Sequence, residues 1–449
     1  MKTGFEKMSQ KKLLICTLLI IIFPKICYAQ GKSDDLFNRQ VKEVLARIKP
    51  PSFPKKTFKV NVKRADRFYQ EINKSIAICS RAGGGQVVVP KGEYLCNGPI
   101  RMLSNVNLFL SEGVVIRFGT NPADYLPVVK VRWEGTVCYN YSPLIYAIGQ
   151  KNIAITGSGI FDGQADKFWF AWKKQPNGDD QEKAKTILRK MGETGIPEKE
   201  RIFGAGYKLR PTLLEFYECE SILLDGFTVR QSPFWTIHPA FSKNIIIRNL
   251  TIGHGTTNDD GIDPDSCEDV LIEHCNISTD DDPISIKAGR DQDAWNRKGT
   301  RNVVVRNCTL QSGIANGFCI GSEMSGGVEN VWVDNCHIPK TNLGITLKAN
   351  LDRGGFVRNL WVRNVTIDSC RQAAIRMQMD YHSYRGGYFP PTFDQITLED
   401  ISVGAARDHA WWLVGVPAKP IGLVTLRNIK VGQQGKGNLA EFVNLKTKE

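Results

Sequence analysis

Internal repetition is the feature of this sequence that most constrains its fold. Five segments follow one pattern, in which apolar and polar residues alternate before a bend, and successive segments begin 25, 33, 28 and 29 residues apart. Such a period indicates stacked structural units that each contact only their neighbours. The segments are KNIIIRNLTIG from Lys243, EDVLIEHCNIS from Glu268, RNVVVRNCTLQ from Arg301, ENVWVDNCHIP from Glu329 and RNLWVRNVTID from Arg358.

Each copy has the period of a β-strand with one buried face, and the asparagine or glycine that follows suits a tight bend. Weaker copies begin at Lys151, Glu220, Asp394 and Ile421, and no long helical pattern separates the copies. The sequence therefore predicts an all-β fold, a right-handed single-stranded parallel β-helix whose asparagine side chains bond to the turn backbone. A β-propeller is the main alternative, but its blades need about 40–45 residues each. A sandwich gives no reason for such regular copies.

An open end of a solenoid exposes its core and its strand edges, so a cap is expected. Residues 64–81 have the apolar spacing of an amphipathic helix. We predict that this helix is the N-terminal cap. Its predicted apolar face consists of Phe68, Ile72, Ile76 and Ile78.

The first 29 residues are typical of a secretory signal peptide, because two lysines precede the apolar run Leu13–Phe23 and the small residue Ala29 ends the segment. The run is short for a membrane span, and a retained anchor is the alternative. Export would place the protein in the periplasm or outside the cell. The predicted order is a signal peptide at 1–29, an N-terminal extension at 30–56 and a β-helix domain at 57–449 with insertions at about 164–206 and 370–393.

The net charge of +13 at pH 7 stays positive when residues 1–29 are left out. A basic surface favours an acidic partner, and nucleic acid, an anionic membrane and an acidic polysaccharide all fit on charge alone. Export favours the polysaccharide and excludes nucleic acid, and no later stretch is apolar enough to span a bilayer. Charge kept only for solubility is the alternative explanation.

Export would permit disulfides, but the cysteines show neither a paired motif nor zinc spacing. Cys275, Cys308 and Cys336 occupy the same place in successive repeats, which favours small buried core residues over a disulfide framework. His238 and His254 match no metal-binding pattern. The sequence therefore predicts no metal and no cofactor.

Two acidic clusters, NDDGIDPD and DDDP, are the candidate chemistry of the chain. Solvated turns or a calcium site are the ordinary explanations, but the phase of the clusters favours another. Asp260, Asp281, Asn316 and Lys348 come 17, 13, 15 and 19 residues after their repeats begin, so we expect them to stack on one face about 4.8 Å apart. Close carboxylates raise at least one pKa, which leaves one acid protonated beside an ionised one. Glycoside hydrolysis needs that division.

Eight stretches match glycoside hydrolase family 28, the polygalacturonases and rhamnogalacturonan galacturonidase-like relatives, which the chain resembles from about residue 57 to 430. The resemblance implies a pectic substrate, because members of the family hydrolyse α-galacturonosyl linkages in pectin. The stretches are AGGGQVVVPKGEY from Ala82, RWEG from Arg132, YSPLIYA from Tyr141, LRPTLLEF from Leu209, SPFWTIHP from Ser232, NDDGIDPDSC from Asn258, DDPISIKAG from Asp281 and IGSEMSGGVENV from Ile320.

The family's Asn-Thr-Asp motif falls on Asn258-Asp259-Asp260, with a different middle residue, and its Asp-Asp pair falls on Asp281-Asp282. The resemblance implies that Asp281 is the general acid and that Asp260 and Asp282 activate the attacking water. Members of the family invert the anomeric centre, for which two carboxyl groups about 6.5–9.5 Å apart are expected.

Two positions depart from the family pattern. Asn316 stands where the family has a histidine, and Thr346 stands where it has an arginine, while the family's lysine is present as Lys348. Losing a planar bidentate donor weakens carboxylate recognition on the leaving-group side, so a neutral sugar such as rhamnose is easier to accept there. We expect Asn258, Asn316 and Lys348 to bind substrate. A turn residue and a solvated rim lysine are the ordinary alternatives for the last two.

The leading hypothesis is an inverting, exo-acting galacturonidase on rhamnogalacturonan-type or other pectic chains, working as a monomer. The two insertions would close one end of the groove, which favours removal of a terminal sugar. Endo- or exo-polygalacturonase action on homogalacturonan is the alternative. A calcium-dependent polysaccharide lyase and a non-catalytic pectin-binding protein follow it.

Overall fold

The computed structural model describes residues 36–173, 180–382 and 386–448. The chain divides into two compact units. In the first, residues 36–47 form a helix, α1, and the second begins at Ile48. The predicted signal peptide, residues 1–29, lies outside the described residues. Among the described helices, none is both long enough and apolar enough to cross a membrane.

The second unit is a parallel β-helix, in which each coil passes through up to three strand positions. The first position forms one continuous parallel stack along the unit. With strands numbered in chain order, this stack contains β1 (Thr57–Lys59), β2 (Gly85–Val89), β5 (Val106–Leu110), β10 (Lys151–Gly157), β14 (Glu220–Asp225), β17 (Lys243–Arg248), β19 (Glu268–Glu273), β22 (Thr300–Arg306), β25 (Val328–Ile338), β27 (Phe356–Cys370), β29 (Thr392–Ala406), β31 (Ile421–Gln434) and β33 (Val443–Lys448).

The second position forms a parallel stack that merges with the far end of β25, because β25 and the long strands after it span both positions. Its separate strands are β3 (Gly92–Cys96), β6 (Val114–Phe118), β11 (Ile160–Asp162), β15 (Thr228–Arg230), β18 (Thr251–Ile252), β20 (Asn276–Thr279) and β23 (Thr309–Ser312).

The third position forms two parallel segments that single bridges join through residues 262 and 265. This stack carries the candidate site. Its strands are β4 (Ile100–Arg101), β9 (Ile145–Ile148), β13 (Leu214–Tyr217), β16 (Ile237–Ala240), β21 (Ile284–Ile286), β24 (Asn316–Gly321), β26 (Leu343–Lys348), β28 (Ala373–Gln378), β30 (His409–Val414) and β32 (Leu439–Glu441). The predicted parallel β-helix is confirmed.

The remaining elements lie outside the three stacks. A hairpin is formed by β7 (Val129–Trp133) and β8 (Thr136–Asn140), and β12 (Ile202–Phe203) pairs with β8. Three further helices are α2 (Phe68–Arg81), α3 (Asp180–Glu193) and α4 (Asp291–Trp295). Short 3-10 turns occur at Ala65–Arg67, Pro122–Tyr125, Ala165–Lys167, Trp169–Trp172 and Glu198–Glu200.

The apolar residues that alternate with polar ones along the repeats are the residues that form the core. Val270 and Ile272 of β19 are fully buried and pair in register with Val303 and Val305 of β22. Each added coil therefore extends one apolar column, and burial of a side chain of this size contributes about 1.5–3 kcal/mol.

The bends that precede the inward residues are asparagine ladders. Asn302, Asn330 and Asn359 have φ values of 60°, 58° and 55°, a left-handed conformation that asparagine tolerates. Nδ2 of Asn330 donates to Asn302 at 3.3 Å, and Nδ2 of Asn359 donates to Asn330 at 3.0 Å. The side chains of these asparagines were predicted to bond to the turn backbone. That prediction is wrong for them, because each bonds to the equivalent asparagine on a neighbouring coil.

Helix α2 forms the predicted N-terminal cap. Phe68, Ile72, Ile76 and Cys79 are buried and belong to the main core. Ile78 is 40% exposed, so its predicted place on the apolar face is wrong. The helical period of 3.6 residues puts position 79 on the face of 72 and 76 and turns position 78 away.

Two segments leave the strand stacks near the positions predicted for insertions, and the second spans fewer residues than the predicted 370–393. The first follows β11, contains α3 and ends at β12. The second was predicted at about 370–393, yet β28 occupies Ala373–Gln378 as an ordinary strand of the third stack. The inserted loop is therefore confined to residues 379–391. The alternation in AAIRMQ could have marked this strand.

The cysteines are core residues, as predicted. All ten cysteines within the described residues are buried and free. Burial and a thiol neighbour raise the pKa of Cys336, and burial raises the pKa of Cys267 to about 12. Thiols with such high pKa values are poor nucleophiles and carry structure only.

Candidate active site

The acidic clusters meet on the third stack. Backbone pairing on either side of Ile284 places Asp260, Asp282 and Asn316 at equivalent positions on three successive coils. All three side chains are buried. Of the residues predicted to share a phase, Asp260 and Asn316 do so, whereas the coil between them has Asp282 at this position and the predicted Asp281 lies one residue before it.

Three carboxyl groups converge at this point. One oxygen from each of Asp260, Asp281 and Asp282 lies within 4.8 Å of the other two. The about 6.5–9.5 Å expected for an inverting pair is a separation between whole carboxyl groups and not between nearest oxygens, so inversion stays a prediction that the anomeric form of the product tests.

Asp282 is held as an anion. Asn316 donates to its Oδ1 from Nδ2 at 2.5 Å and from the backbone N–H at 3.1 Å, and Lys348 Nζ donates to its Oδ2 at 2.8 Å. Burial acts to raise the pKa of Asp282, but the two lysines Lys348 and Lys287 and the hydrogen bonds hold it below its usual value.

Lys348 reaches Asp282 from a different phase. In β26, Leu343 pairs with Asn316, and Lys348 lies five residues further along at the level of Gly321. The prediction that Lys348 shares the phase of the aspartates is wrong. Its long side chain closes the distance, which a count of residues cannot reveal.

Asp281 has weaker partners than Asp282. Asn258 Nδ2 lies 3.4 Å from its Oδ2, and its Oδ1 accepts the backbone N–H of Asp282 at 3.1 Å. Burial, followed by the charge of Asp282, raises the pKa of Asp281 to about 6. The two adjacent carboxyl groups thus have pKa values displaced in opposite directions.

Asp259, the middle residue of the first motif, positions the second cluster. Its carboxylate accepts the backbone N–H groups of Gly255 at 2.8 Å and of Asp280 and Asp281 at 3.0 Å. The side chain is 1% exposed. Asp259 therefore fixes the backbone that carries Asp281.

Asn258 is oriented by two cations. Its Oδ1 accepts from Arg210 Nη2 at 2.9 Å and from Lys173 Nζ at 3.0 Å. The amide nitrogen is thereby turned towards Asp281. Lys173 belongs to the first insertion.

Lys287 is a buried lysine that contacts several carboxyl groups, and the sequence did not predict its role. Its Nζ lies 3.1 Å from Asp260, 3.5 Å from Glu323 and 4.0 Å from Asp263, and it also lies 4.0 Å from the centre of the Trp235 ring. A lysine at an outward strand position inside the matching stretch DDPISIKAG was the available signal.

Asp260 and Asp263 share the positive charge of Lys287, so this one charge does not balance their two carboxyl groups. Burial, with the charges of Asp281 and Asp282, raises the pKa of Asp260 well above its usual value against the opposing effect of Lys287. Burial likewise raises the pKa of Asp263. Asp260 is therefore a second group that can carry a proton in the free protein.

A small cavity of about 180 Å³ opens onto Asp260 and Asp281. Lys173, Lys185 and Arg189 of the first insertion line it, as do Tyr381 and His382 of the second. Both insertions thus contribute to its walls.

Thr346 stands at the position where the family has an arginine, as the sequence indicated. Thr346 is buried, and its Oγ1 has no hydrogen-bond partner among the described residues. The residue paired with Thr346 on the next coil is Arg376, whose guanidinium stacks on Trp412 at 3.9 Å. A guanidinium is therefore present one coil beyond the position where the family has one.

The three aspartates also have the spacing of a cation site. However, Lys348 and Lys287 already occupy oxygens of Asp282 and Asp260, and a cation would have to displace both ammonium groups. His238 is buried between Glu215 at 3.7 Å and Asp265 at 3.4 Å, which is a structural position.

Comparison with known proteins agrees with this geometry. Residues 200–448, more than half of the chain, match the model of glycosyl hydrolases family 28. A structure of a hyperthermoactive exopolygalacturonase from Thermotoga maritima is 33% identical, with a TM-score of 0.84, over 92% of this chain and 95% of that one.

Two further relatives have matching lengths. A probable polygalacturonase of Vitis vinifera is 27% identical over 387 residues, which cover 81% of this chain and 70% of the relative. An endo-polygalacturonase of Pectobacterium carotovorum subsp. carotovorum is 26% identical over 375 residues, covering 80% and 83%.

A parallel β-helix on which three carboxyl groups converge at the third stack fits a glycoside hydrolase. The chain belongs to glycosyl hydrolases family 28.

Proposed function

We propose that the protein is an exo-acting α-galacturonidase that removes terminal galacturonate from pectic chains with inversion, and that rhamnogalacturonan-type chains are its preferred substrate. The observation that carries the proposal is the convergence of Asp260, Asp281 and Asp282, of which Asp260 and Asp281 line a small cavity. Pectic polymers lie outside cells, so this function fits the export that residues 1–29 predict. One chain holds all three carboxyl groups, so a monomer suffices.

The acid and base roles follow from the displaced pKa values. Asp281 protonates the leaving oxygen, because burial and the charge of Asp282 raise its pKa to about 6. Asp282 takes the proton of the attacking water, because Lys348 and Asn316 hold it ionised. Asp260 orients that water by a hydrogen bond from the preceding coil.

Exo action is supported by the walls of the cavity. Lys185 and Arg189 of α3 line the cavity, and so does Tyr381 of the second insertion. A long chain passing through the site would need both ends of the groove open, whereas a terminal sugar needs one. The similarity to the exopolygalacturonase of Thermotoga maritima points the same way.

A neutral leaving sugar is supported by Thr346. A hydroxyl replaces a guanidinium at this position, so a carboxylate there would lose a bidentate partner. Rhamnose has no carboxylate to pair, so the absence of a guanidinium at position 346 does not weaken its binding.

Hydrolysis of homogalacturonan is the second candidate. Arg376 favours it, because a guanidinium one coil away from Thr346 could pair with a leaving-side carboxylate. A calcium-dependent lyase is disfavoured, since Lys348 and Lys287 occupy the carboxylate oxygens that calcium would need.

Product analysis tests the proposal. Homogalacturonan and rhamnogalacturonan oligosaccharides are incubated separately, and the products are followed by NMR. We expect galacturonate to appear from the non-reducing end as the β-anomer, faster from rhamnogalacturonan. Mid-chain products would contradict exo action, an initial α-anomer would contradict inversion, and no galacturonate from either polymer would contradict the function.

The pH dependence of the reaction is expected to follow Asp281. The reaction needs this group protonated, so kcat/KM should fall about tenfold per pH unit above pH 6, as the acid form disappears. Asp282 keeps its charge at lower pH because its pKa is lowered, so the rate should hold through pH 5. A rate that rises between pH 6 and 8 would contradict the acid assignment.

A further inference from the structure

A surface groove of about 440 Å³ crosses the C-terminal coils of the β-helix. It lies where β27, β29 and β31 end, because Cys370 pairs in register with Ala406, and Ala406 pairs with Gln434. Thr341 of the preceding coil bridges to Cys370, so four successive coils form the groove. Among the described residues, none lines both this groove and the cavity beside the three aspartates. The two are therefore separate surfaces.

The lining of the groove includes three cations and, within the part of the chain that the structure describes, no carboxylic acid. The cations are Lys340, Arg371 and Arg407, and all three are exposed. Arg371 and Arg407 each follow one residue of a pair in register, so they occupy equivalent places on adjacent coils. Arg371 donates to the backbone oxygen of Gly313. None of the three cations has an ion pair with another described residue.

The charges at the strand starts of the first stack, by contrast, alternate in sign. The residues in register there are, coil by coil, Glu220, Lys243, Glu268, Arg301, Glu329 and Arg358. Like charges repel on adjacent coils, whose backbones lie about 4.8 Å apart, so Arg371 beside Arg407 costs free energy in the protein alone. Asp408, which follows Arg407, is already paired with Lys436 at 3.1 Å. An anionic partner would supply the missing charge.

The shape of the groove suits a polymer. Its buried lining residues are small, as Thr341, Cys370 and Ala406 show, so the space beside the cations stays open. Lys340, Arg371 and Arg407 place one cation on each of three successive coils. A chain that carries a carboxylate on every repeating unit can therefore pair with several coils at once, and a guanidinium offers directed hydrogen bonds to each carboxylate.

We propose that this groove is a second polysaccharide-binding surface, which holds a polyuronate chain outside the cavity where hydrolysis takes place. The identity of the partner rests on the proposed function, whereas the charge of the groove does not. Two binding surfaces on one protein raise the effective concentration of a polymer that reaches both. An oligosaccharide too short to reach the groove gains nothing from it.

A binding measurement tests the groove. The double variant Arg371→Gln with Arg407→Gln is titrated with polygalacturonate in the Asp281→Asn background, so that the polymer stays intact. We expect binding about 5- to 20-fold weaker than in the Asp281→Asn parent at low salt, with a smaller difference at high salt because the charges are screened. The control is Lys74→Gln with Arg81→Gln, which removes the same charge from exposed positions of the cap helix α2 and should change binding by less than about twofold.

Hydrolysis by the enzyme with Asp281 intact separates the groove from the active site. The arginine double variant should lose rate on long chains by the same factor and keep kcat/KM on short oligosaccharides within about twofold. Equal losses on long and short chains, or polymer binding as tight as in the parent, would overturn the second surface. Equal affinity of the parent for double-stranded DNA would overturn the polyuronate as its partner. If the arginines bind polygalacturonate but the wild type cleaves no pectic polymer, the proposed function fails and the surface stands.

Discussion

Replacement of Asp281 by asparagine is expected to reduce hydrolysis of pectic oligosaccharides by about 10²–10⁴-fold with the fold intact, because the amide cannot donate the proton that the leaving oxygen needs. Asparagine has nearly the same shape, and the hydrogen bond from Asn258 to Oδ2 can be kept by the amide oxygen. The measurement is kcat on the better pectic substrate, with circular dichroism and the thermal midpoint as checks on folding. The falling limb of the pH profile above pH 6 should also disappear in this variant.

The neighbouring Asp280 supplies a matched control. Its side chain is 35% exposed and lies outside the carboxyl triad, so Asp280→Asn should keep activity within about twofold. If Asp281→Asn hydrolysed pectic oligosaccharides normally, the assignment of Asp281 as the acid would be wrong. Equal losses in both variants would indicate a general effect of charge in place of proton donation.

Replacement of Lys287 by methionine is expected to destabilise the folded protein by about 3–5 kcal/mol at pH 7, because it leaves buried carboxylates without their shared counter-ion. Asp260, Asp263 and Glu323 all lie within 4.0 Å of its Nζ. The pKa values of Asp260 and Asp263 are already raised by burial. The folded variant will therefore bind protons more readily than the unfolded chain, so its deficit should shrink as the pH falls from 7 to 5.

Denaturant midpoints at pH 7 and pH 5 measure this effect. Lys243→Met is the control, because this lysine is 56% exposed in its ion pair with Glu220 and such surface pairs contribute about 0–1 kcal/mol. A Lys287 variant as stable as the control, or one whose deficit grows on acidification, would show that the lysine does not carry the charge of the cluster.

The repeats made the fold and part of the site predictable. Alternation of buried residues is a local property, so strand positions such as β17, β19 and β22 follow from the sequence alone. Once the coils are in register, residues at one phase must stack, but loops of different length separate the strand positions, so the repeat spacing pointed to Asp281 where backbone pairing places Asp282 beside Asp260. The cap helix α2 followed from its own periodicity.

The contacts made by long side chains were not predictable in this way. Lys348 reaches back to Asp282 from five residues along its strand, and Lys287 contacts carboxyl groups from two segments, residues 260–263 and Glu323. Such contacts depend on the distances between coils and on the lengths of the side chains. The spacing of residues in the sequence contains neither of these quantities. The loop boundary at residue 379 was missed because aromatic residues near it outweighed a short strand pattern.

The asparagine ladders also limit how this chain can change length. Asn302, Asn330 and Asn359 are joined coil to coil through their side chains, so deleting one residue within a strand would move every later bend out of line and turn buried residues outward. Loss or gain of a whole coil keeps the ladder in step, and extra residues between the strands leave it untouched. Insertions and deletions between relatives should therefore fall in the loops or come in units of a full coil, and the cavity walls are the places where length is free to vary.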